Sequence, residues 1–107
     1  MDCIFCKIIT GELPSNKVYE DELILAFRDI RPSAPVHILF VPKLHIQSVD
    51  NITTENSPII SRIFEIIPKI AADEGLDGGY KVLTNIGPDG GQEVGHLHFH
   101  LLGGKPK

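Results

Sequence analysis

The sequence predicts an α+β fold: a five-stranded antiparallel sheet with one long helix on one face and a short helix at the N-terminus. Three observations predict it. Between Thr54 and Glu74, the residues Ile59, Ile60, Ile63, Ile66, Ile67, Ile70 and Ala71 recur at helical spacing and draw one broad apolar stripe. Elsewhere the apolar residues come in short runs rich in strand formers, punctuated by Gly, Pro, Asp and Asn. Near the C-terminus, HLHFHLL alternates strictly. A strand with that pattern turns His96, His98 and His100 to one face and Leu97, Phe99 and Leu101 to the other.

Taken in order, Cys3 to Ile9 is a short apolar stretch suited to a turn or two of helix, ended by Gly11 and Pro14. Val18 to Glu20 and Leu23 to Arg28 read as a hairpin around Asp21-Glu22. Ile30 to Val36 carries Pro32 and Pro35 and is expected to be loop. His37 to Val41 is a buried strand closed by Pro42. The long helix follows, with Thr53 or Thr54 as its cap and Pro58 tolerated in its first turn. Pro68 lies deeper, where it removes a hydrogen bond and bends the axis. Isoleucine is a middling helix former, so this helix needs the sheet to hold it; Gly75 ends it. Tyr80 to Asn85 is the fourth strand, Gly87 to Gly91 a turn, and Val94 to Leu102 the last strand. Its leucines and phenylalanine pack on the helix stripe, which leaves the imidazoles on the uncovered face.

At 107 residues the chain fits a single domain spanning 1–107. Its composition, 42% hydrophobic and 22% charged, is that of a soluble globular protein. A formal charge of −4 argues against an extended nucleic-acid surface, though backbone N–H groups can still hold one small phosphate. No apolar run is long enough to span a bilayer, and MDCIFCKIITGELPSNK lacks a secretory leader, so a cytoplasmic location is expected. In that compartment Cys3 and Cys6 are not a disulfide framework.

Three of the five histidines sit in the last strand, and two chemistries compete for them. CIFC can clip one zinc ion from a turn if two further ligands exist among His37, His45, His96, His98 and His100. Equally, imidazole titrates near neutrality and can attack as a free base or donate as an acid. A histidine nucleophile can carry a phosphoryl or nucleotidyl group. GPDGGQEVG can present backbone N–H groups to an anion, although a plain turn has the same composition. Asp29 is placed to accept from sugar hydroxyls or merely to cap a turn, and Asn85 to steady a phosphate or merely to end a strand. Lys43, Lys105 and Lys107 read as solvated charges.

HLHFHLL, together with FCKII at Phe5 to Ile9, LAFRDIRPSAPVHILFVPKLHI at Leu25 to Ile46 and GGQEVGHLHFHLLGG at Gly90 to Gly104, resembles the histidine triad (HIT) family. The branch it resembles is that of the nucleoside-phosphoramidate hydrolases, the protein kinase C-interacting-protein-like proteins. The resemblance covers nearly the whole chain. It implies a HIT-like fold in a homodimer whose two sheets join, and hydrolysis of the P–N bond of purine nucleoside 5′-phosphoramidates to release a nucleoside monophosphate. It further implies that His98 is the nucleophile, that His100 stands on the leaving-group side and that His37 supports the site. His96 contributes a backbone carbonyl that orients His98. By the same resemblance Asp29 holds the ribose, Asn85 and the backbone of Gln92, Glu93 and Val94 face the phosphate, and Phe5, Ile8, Phe27, Ile30 and Leu39 form the base pocket. Structural zinc is implied at Cys3, Cys6, His45 and His96. Departures from better-known members are Glu93 in place of a serine, Gly95 in place of an aromatic residue, and an end at Lys107 without a longer tail. A zinc-dependent hydrolase and a nucleotide-binding regulatory protein with little turnover are the competing readings.

Overall fold

The computed structural model describes residues 3–104, so Lys105 and Lys107 lie outside the described residues. Helix α1 is Ile4–Thr10, strands β1 and β2 are Lys17–Glu20 and Ile24–Arg28, and β3 is Val36–Pro42. A single 3-10 turn at Val49–Asn51 leads to helix α2, Ser57–Asp73, followed by β4, Tyr80–Leu83, and β5, Phe99–Gly103. The five strands form one sheet in the order β1-β2-β3-β5-β4, and every neighbouring pair is antiparallel. This is the α+β architecture expected from the sequence. No described helix is long and apolar enough to cross a membrane.

Period-two alternation sorts the strands onto two faces. Ile24, Ala26, Ile38, Phe40, Phe99 and Leu101 join Ile63, Ile66, Ile67, Ile70 and Ala71 of α2 in one core. Leu25, Phe27, Leu39 and Val41 point the other way and pack with Cys3, Phe5 and Ile8 of the α1 segment. In register, Leu39 lies opposite His100 and His37 opposite Leu102, so His37 and His100 share the α1 face. Short α1 covers only part of that face and leaves a cleft beside β5.

Several boundaries differ from the sequence expectation for identifiable reasons. The last strand pairs only from Phe99, not Val94. The chain before it bends at residues 94–96 and bonds elsewhere: the Leu97 N–H donates to Ile46 O at 2.6 Å, and the Thr84 hydroxyl to His98 O at 2.7 Å. The faces nevertheless continue, with Leu97 in the α2 core. Neither Thr53 nor Thr54 caps α2; its N-cap is Asn56, and Thr53 closes the preceding turn by accepting from the Asn56 N–H at 3.2 Å. Pro58 falls in the first turn and Pro68 in the interior, as expected. Pro42 ends β3 from within, and Thr84 and Asn85 lie beyond β4. Gly11 closes α1 at φ 87°, a left-handed geometry that glycine adopts without strain.

The β1–β2 turn is built on Asp21. Its carboxylate accepts from the Leu23 and Ile24 N–H groups at 2.8 and 3.0 Å, from the Tyr19 hydroxyl at 2.8 Å and from Arg62 of α2 at 2.9 Å. Burial alone would raise this carboxyl, but the donors outweigh it and hold its pKa at about 2. Arg28, at the end of β2, makes a bidentate pair with Glu74 at 2.8 and 3.0 Å, which ties the strand to the C-terminus of α2.

Candidate active site and metal centre

A cleft of about 540 Å³ opens between α1, the β2–β3 loop and the segment entering β5. Phe5, Ile8, Phe27 and Leu39 form its apolar end, and His37, His98 and His100 its polar end. Asp29, Asn85, Glu93 and Val94 also line it. Ile30 also lines the cleft and is 91% exposed, so it stands at the mouth. Gln92 does not line the cleft. Its N–H donates to Gly87 O at 3.0 Å, so it is not a free anion donor. Its side chain instead braces the glycine-rich turn, accepting from the Gly87 N–H at 2.9 Å and donating to Gln47 O at 2.7 Å.

Hydrogen bonds dictate the tautomer of each imidazole. His98 Nδ1 lies 2.7 Å from His96 O. A carbonyl can only accept, so Nδ1 carries the proton and Nε2 presents a lone pair. Burial lowers the His98 pKa, against the opposing pull of the His96 carbonyl and of the Asp29 and Glu93 charges, and so favours the free base. The Phe5 ring meets His98 edge-on, centroids 5.0 Å apart, and limits its rotation.

His100 has the opposite polarity, set through two neighbours. The Ser33 N–H donates to His37 Nδ1 at 3.0 Å, so the neutral His37 ring carries its proton on Nε2. That Nε2 lies 2.9 Å from His100 Nδ1 and donates to it. His100 therefore carries its own proton on Nε2, a buried atom with no partner among the described residues. Burial first, then the positive charges that His98 and His37 would carry, push its pKa down to about 4. The site thus presents a basic nitrogen on His98 beside an N–H donor on His100, ring centroids 5.0 Å apart. Asp29 Oδ2 stands 3.5 Å from His37 Nε2, while Oδ1 accepts from the Arg31 N–H at 2.8 Å.

Two groups of residues have the composition of a metal site: Cys3, Cys6, His45 and His96, and Asp29, His37 and His100. They differ in what stands behind the ligands. His96 Nε2 donates to Pro42 O at 2.9 Å, which turns the Nδ1 lone pair toward the thiols, the backing that metal-bound histidines ordinarily have. Burial also keeps His96 neutral. Cys3 Sγ and Cys6 Sγ lie 3.3 and 3.6 Å from His96 Nδ1, and Cys6 Sγ lies 3.3 Å from His45 Nδ1. A tetrahedral zinc ion with ordinary bond lengths sets such S···N edges at about 3.6 Å. The donor set therefore fits a closed four-ligand centre. In the second group the Ser33 N–H occupies His37 Nδ1 and forces the proton onto Nε2, where a ligand would need its lone pair. That group is a hydrogen-bond relay.

Eleven of the twelve residues expected to face a nucleotide line the cleft, Ile30 at its mouth; Gln92, behind the turn, does not. His96 does not line it; only its carbonyl reaches the site, through His98. The sequence reading missed Ser33, Thr84 and Ser15. Ser33 and Thr84 act through a backbone N–H and on a backbone carbonyl, roles that leave no signature in residue type.

Three imidazoles at alternate positions on and just before β5, with one free nitrogen beside one donor at the head of an apolar cleft, define a histidine-triad protein. The chain belongs to the HIT domain family, whose model matches residues 10–107. It is 46% identical over 106 residues to the purine nucleoside phosphoramidase of Escherichia coli K12, covering 98% of this chain and 89% of that protein. Among solved structures it is similar to a histidine triad protein from Clostridium difficile, with 55% identity, TM-score 0.94 and coverage of 100% and 94% of the two chains. It is also similar to a HIT family hydrolase from Clostridium thermocellum, with 49% identity, TM-score 0.94 and coverage of 99% and 96%.

Proposed function

We propose that this chain, as a single domain, hydrolyses purine nucleoside 5′-phosphoramidates and releases a nucleoside monophosphate and an amine. The observation that carries the reading is the His98 Nδ1–H bond to the His96 carbonyl, which leaves Nε2 unprotonated at the head of the cleft. Nε2 attacks the α-phosphorus and the P–N bond breaks, giving a nucleotidyl-His98 intermediate. An amide anion is a very poor leaving group, so the departing nitrogen needs a proton. Solvent supplies that proton; the neutral His100 keeps its own, and its Nε2–H, held in that tautomer by His37 and Ser33, hydrogen-bonds the reacting phosphoryl group. Water then cleaves the intermediate and restores the free imidazole.

In this reading Phe5, Ile8, Phe27 and Leu39 enclose the purine, with Ile30 at the rim, and Asp29 takes the ribose hydroxyls. Asn85, Glu93 and Val94 border the phosphate. Asn85 Nδ2 donates to Gly90 O at 2.8 Å, so part of its role is to hold the turn in place. Zinc is the ion we assign to Cys3, Cys6, His45 and His96, where it ties the α1 segment to the sheet. None of these four lines the cleft, which speaks against a zinc-dependent hydrolase. A homodimer formed along the β4 edge, where Tyr80 is exposed, and action in the cytoplasm on small nucleotides complete the proposal.

The test is hydrolysis of adenosine 5′-phosphoramidate by wild type and His98→Ala. The reading predicts turnover by the wild type and loss of at least about 10³-fold in the variant, with nucleoside monophosphate binding retained. Equal rates would refute it. Tight nucleotide binding by a wild type without turnover would instead support a regulatory protein.

A further inference from the structure

Two side-chain polar atoms among the described residues are buried without a hydrogen-bond partner: His100 Nε2 and Ser15 Oγ. Both residues line the same cleft, one at the phosphate end and the other beside the apolar end. Buried polar groups are almost always paired, and an orphan in a binding cleft points to a partner supplied by the ligand. His100 is accounted for by the reaction. Ser15 is not.

Its position is fixed by the backbone on either side. Pro14 precedes it, and the Arg28 N–H donates to Asn16 O at 3.0 Å, which pins the segment against the end of β2. Ser15 lines the cleft together with the apolar Ile4, Phe5, Ile8 and Phe27. Two other polar side chains that line the cleft are already engaged: the Arg28 guanidinium with Glu74, and the Asp29 carboxylate with the Arg31 N–H and the His37 ring. A purine carries heteroatoms on its edges, and enclosing it in a purely apolar pocket would strip those atoms of water without replacement.

We infer that the Ser15 hydroxyl hydrogen-bonds an edge of the purine base and is a base-binding group of the cleft. The inference rests on the proposed nucleotide reading of the cleft. A hydroxyl both donates and accepts, and a rotation about Cα–Cβ re-aims it within the staggered set. It can therefore accept from the exocyclic amine of adenine or donate to the carbonyl oxygen of guanine. Ser15 thus favours a base with a polar edge over no base, and does not choose strongly between the two purines.

The test measures binding of AMP, GMP and ribose 5-phosphate to wild type and Ser15→Ala by calorimetry, with melting temperatures alongside. Removing the hydroxyl is expected to weaken AMP and GMP by about 3- to 10-fold, the range for one neutral hydrogen bond. Ribose 5-phosphate is expected to bind both proteins equally. The free variant is expected to melt at or slightly above the wild-type temperature, because the hydroxyl it loses had no protein partner. Unchanged AMP and GMP affinity, an equal loss for ribose 5-phosphate, or a clearly lower melting temperature would each overturn the inference. The proposed reaction fails separately: a wild type that binds AMP and leaves phosphoramidates intact refutes the chemistry, while the Ser15 comparison still stands on binding. A wild type that binds no nucleoside monophosphate overturns both.

Discussion

Gly90→Ala is expected to damage both stability and nucleotide binding, for a reason that can be worked from geometry. A Cβ at Gly90 would stand 3.0 Å from Ile86 N and 3.1 Å from Ile86 C, and closer still to the Ile86 carbonyl oxygen. A carbon needs about 3.3 Å or more from a carbonyl oxygen, so this peptide must move by roughly 1 Å. It has little freedom to do so. The following N–H, that of Gly87, is held by Gln92 Oε1 at 2.9 Å, and Gly87 O accepts from both Gly90 and Gln92. Overpacking against backbone costs about 1–3 kcal/mol, and loss of the Asn85–Gly90 bond adds about 1. A total near 3 kcal/mol lowers the melting temperature of a domain this size by on the order of 10 °C. Gly91 and Glu93 carry the distortion into the cleft, so AMP affinity should fall as well. Thermal melts and calorimetry on Gly90→Ala and Gly78→Ala make the comparison. Nothing lies within 4 Å of a Cβ at Gly78, and that variant should stay within about 0.5 kcal/mol of wild type. If the two variants behave alike, the turn does not have the tight geometry on which the phosphate side of the site depends.

Stability should also depend on pH through His100. Its pKa is about 4 in the folded chain and about 6.5 when unfolded, so the unfolded state takes up the proton first as pH falls. The contribution is fully present above pH 6.5 and is lost between there and about pH 4, at most about 3 kcal/mol. Denaturant unfolding across this window should show a shallower decline for His100→Gln than for wild type, and equal slopes would count against the buried neutral ring. Replacing both Cys3 and Cys6 with serine should abolish about one equivalent of bound zinc per chain and lower the melting temperature, with only modest loss of turnover; unchanged metal content by elemental analysis would remove the ligand assignment. Asp21→Asn should destabilise the fold by about 1–3 kcal/mol at pH 7, because the Arg62 pair is lost and one amide face must meet donors. The deficit should shrink as pH falls from about 4 towards 2, where the wild-type carboxyl itself is protonated.

Much of this architecture is legible in residue order. The isoleucine spacing of α2 and the alternation from Leu97 to Leu101 each specify a face, and the two faces meet in the core. Resemblance to a known family marked His98, His100, Asp29 and the Cys–His set, and the residues do converge on one cleft and one four-ligand cluster. What the sequence could not carry is the wiring. Which nitrogen of His100 bears its proton depends on the Ser33 N–H, and the path of that loop between Pro32 and Pro35 is not written in any periodicity. The true start of β5 is hidden for a similar reason. Alternation continues through His96 and Leu97, but the backbone there bonds to Ile46 and not to a neighbouring strand. Thr53 and Thr54 look like helix caps by type, yet Asn56 lies closer to the first turn and Thr53 serves the loop before it.

The protonation of one ring tests the account most directly. Nitrogen-15 NMR of histidine-labelled protein at neutral pH, assigned by comparison with His98→Gln, reads which nitrogen of His98 carries hydrogen. The account predicts a neutral ring with hydrogen on Nδ1 and a bare Nε2, which takes up the nucleotidyl group when substrate is added. A ring protonated on Nε2, or one charged at both nitrogens, would leave no nucleophile at the head of the cleft and would contradict it.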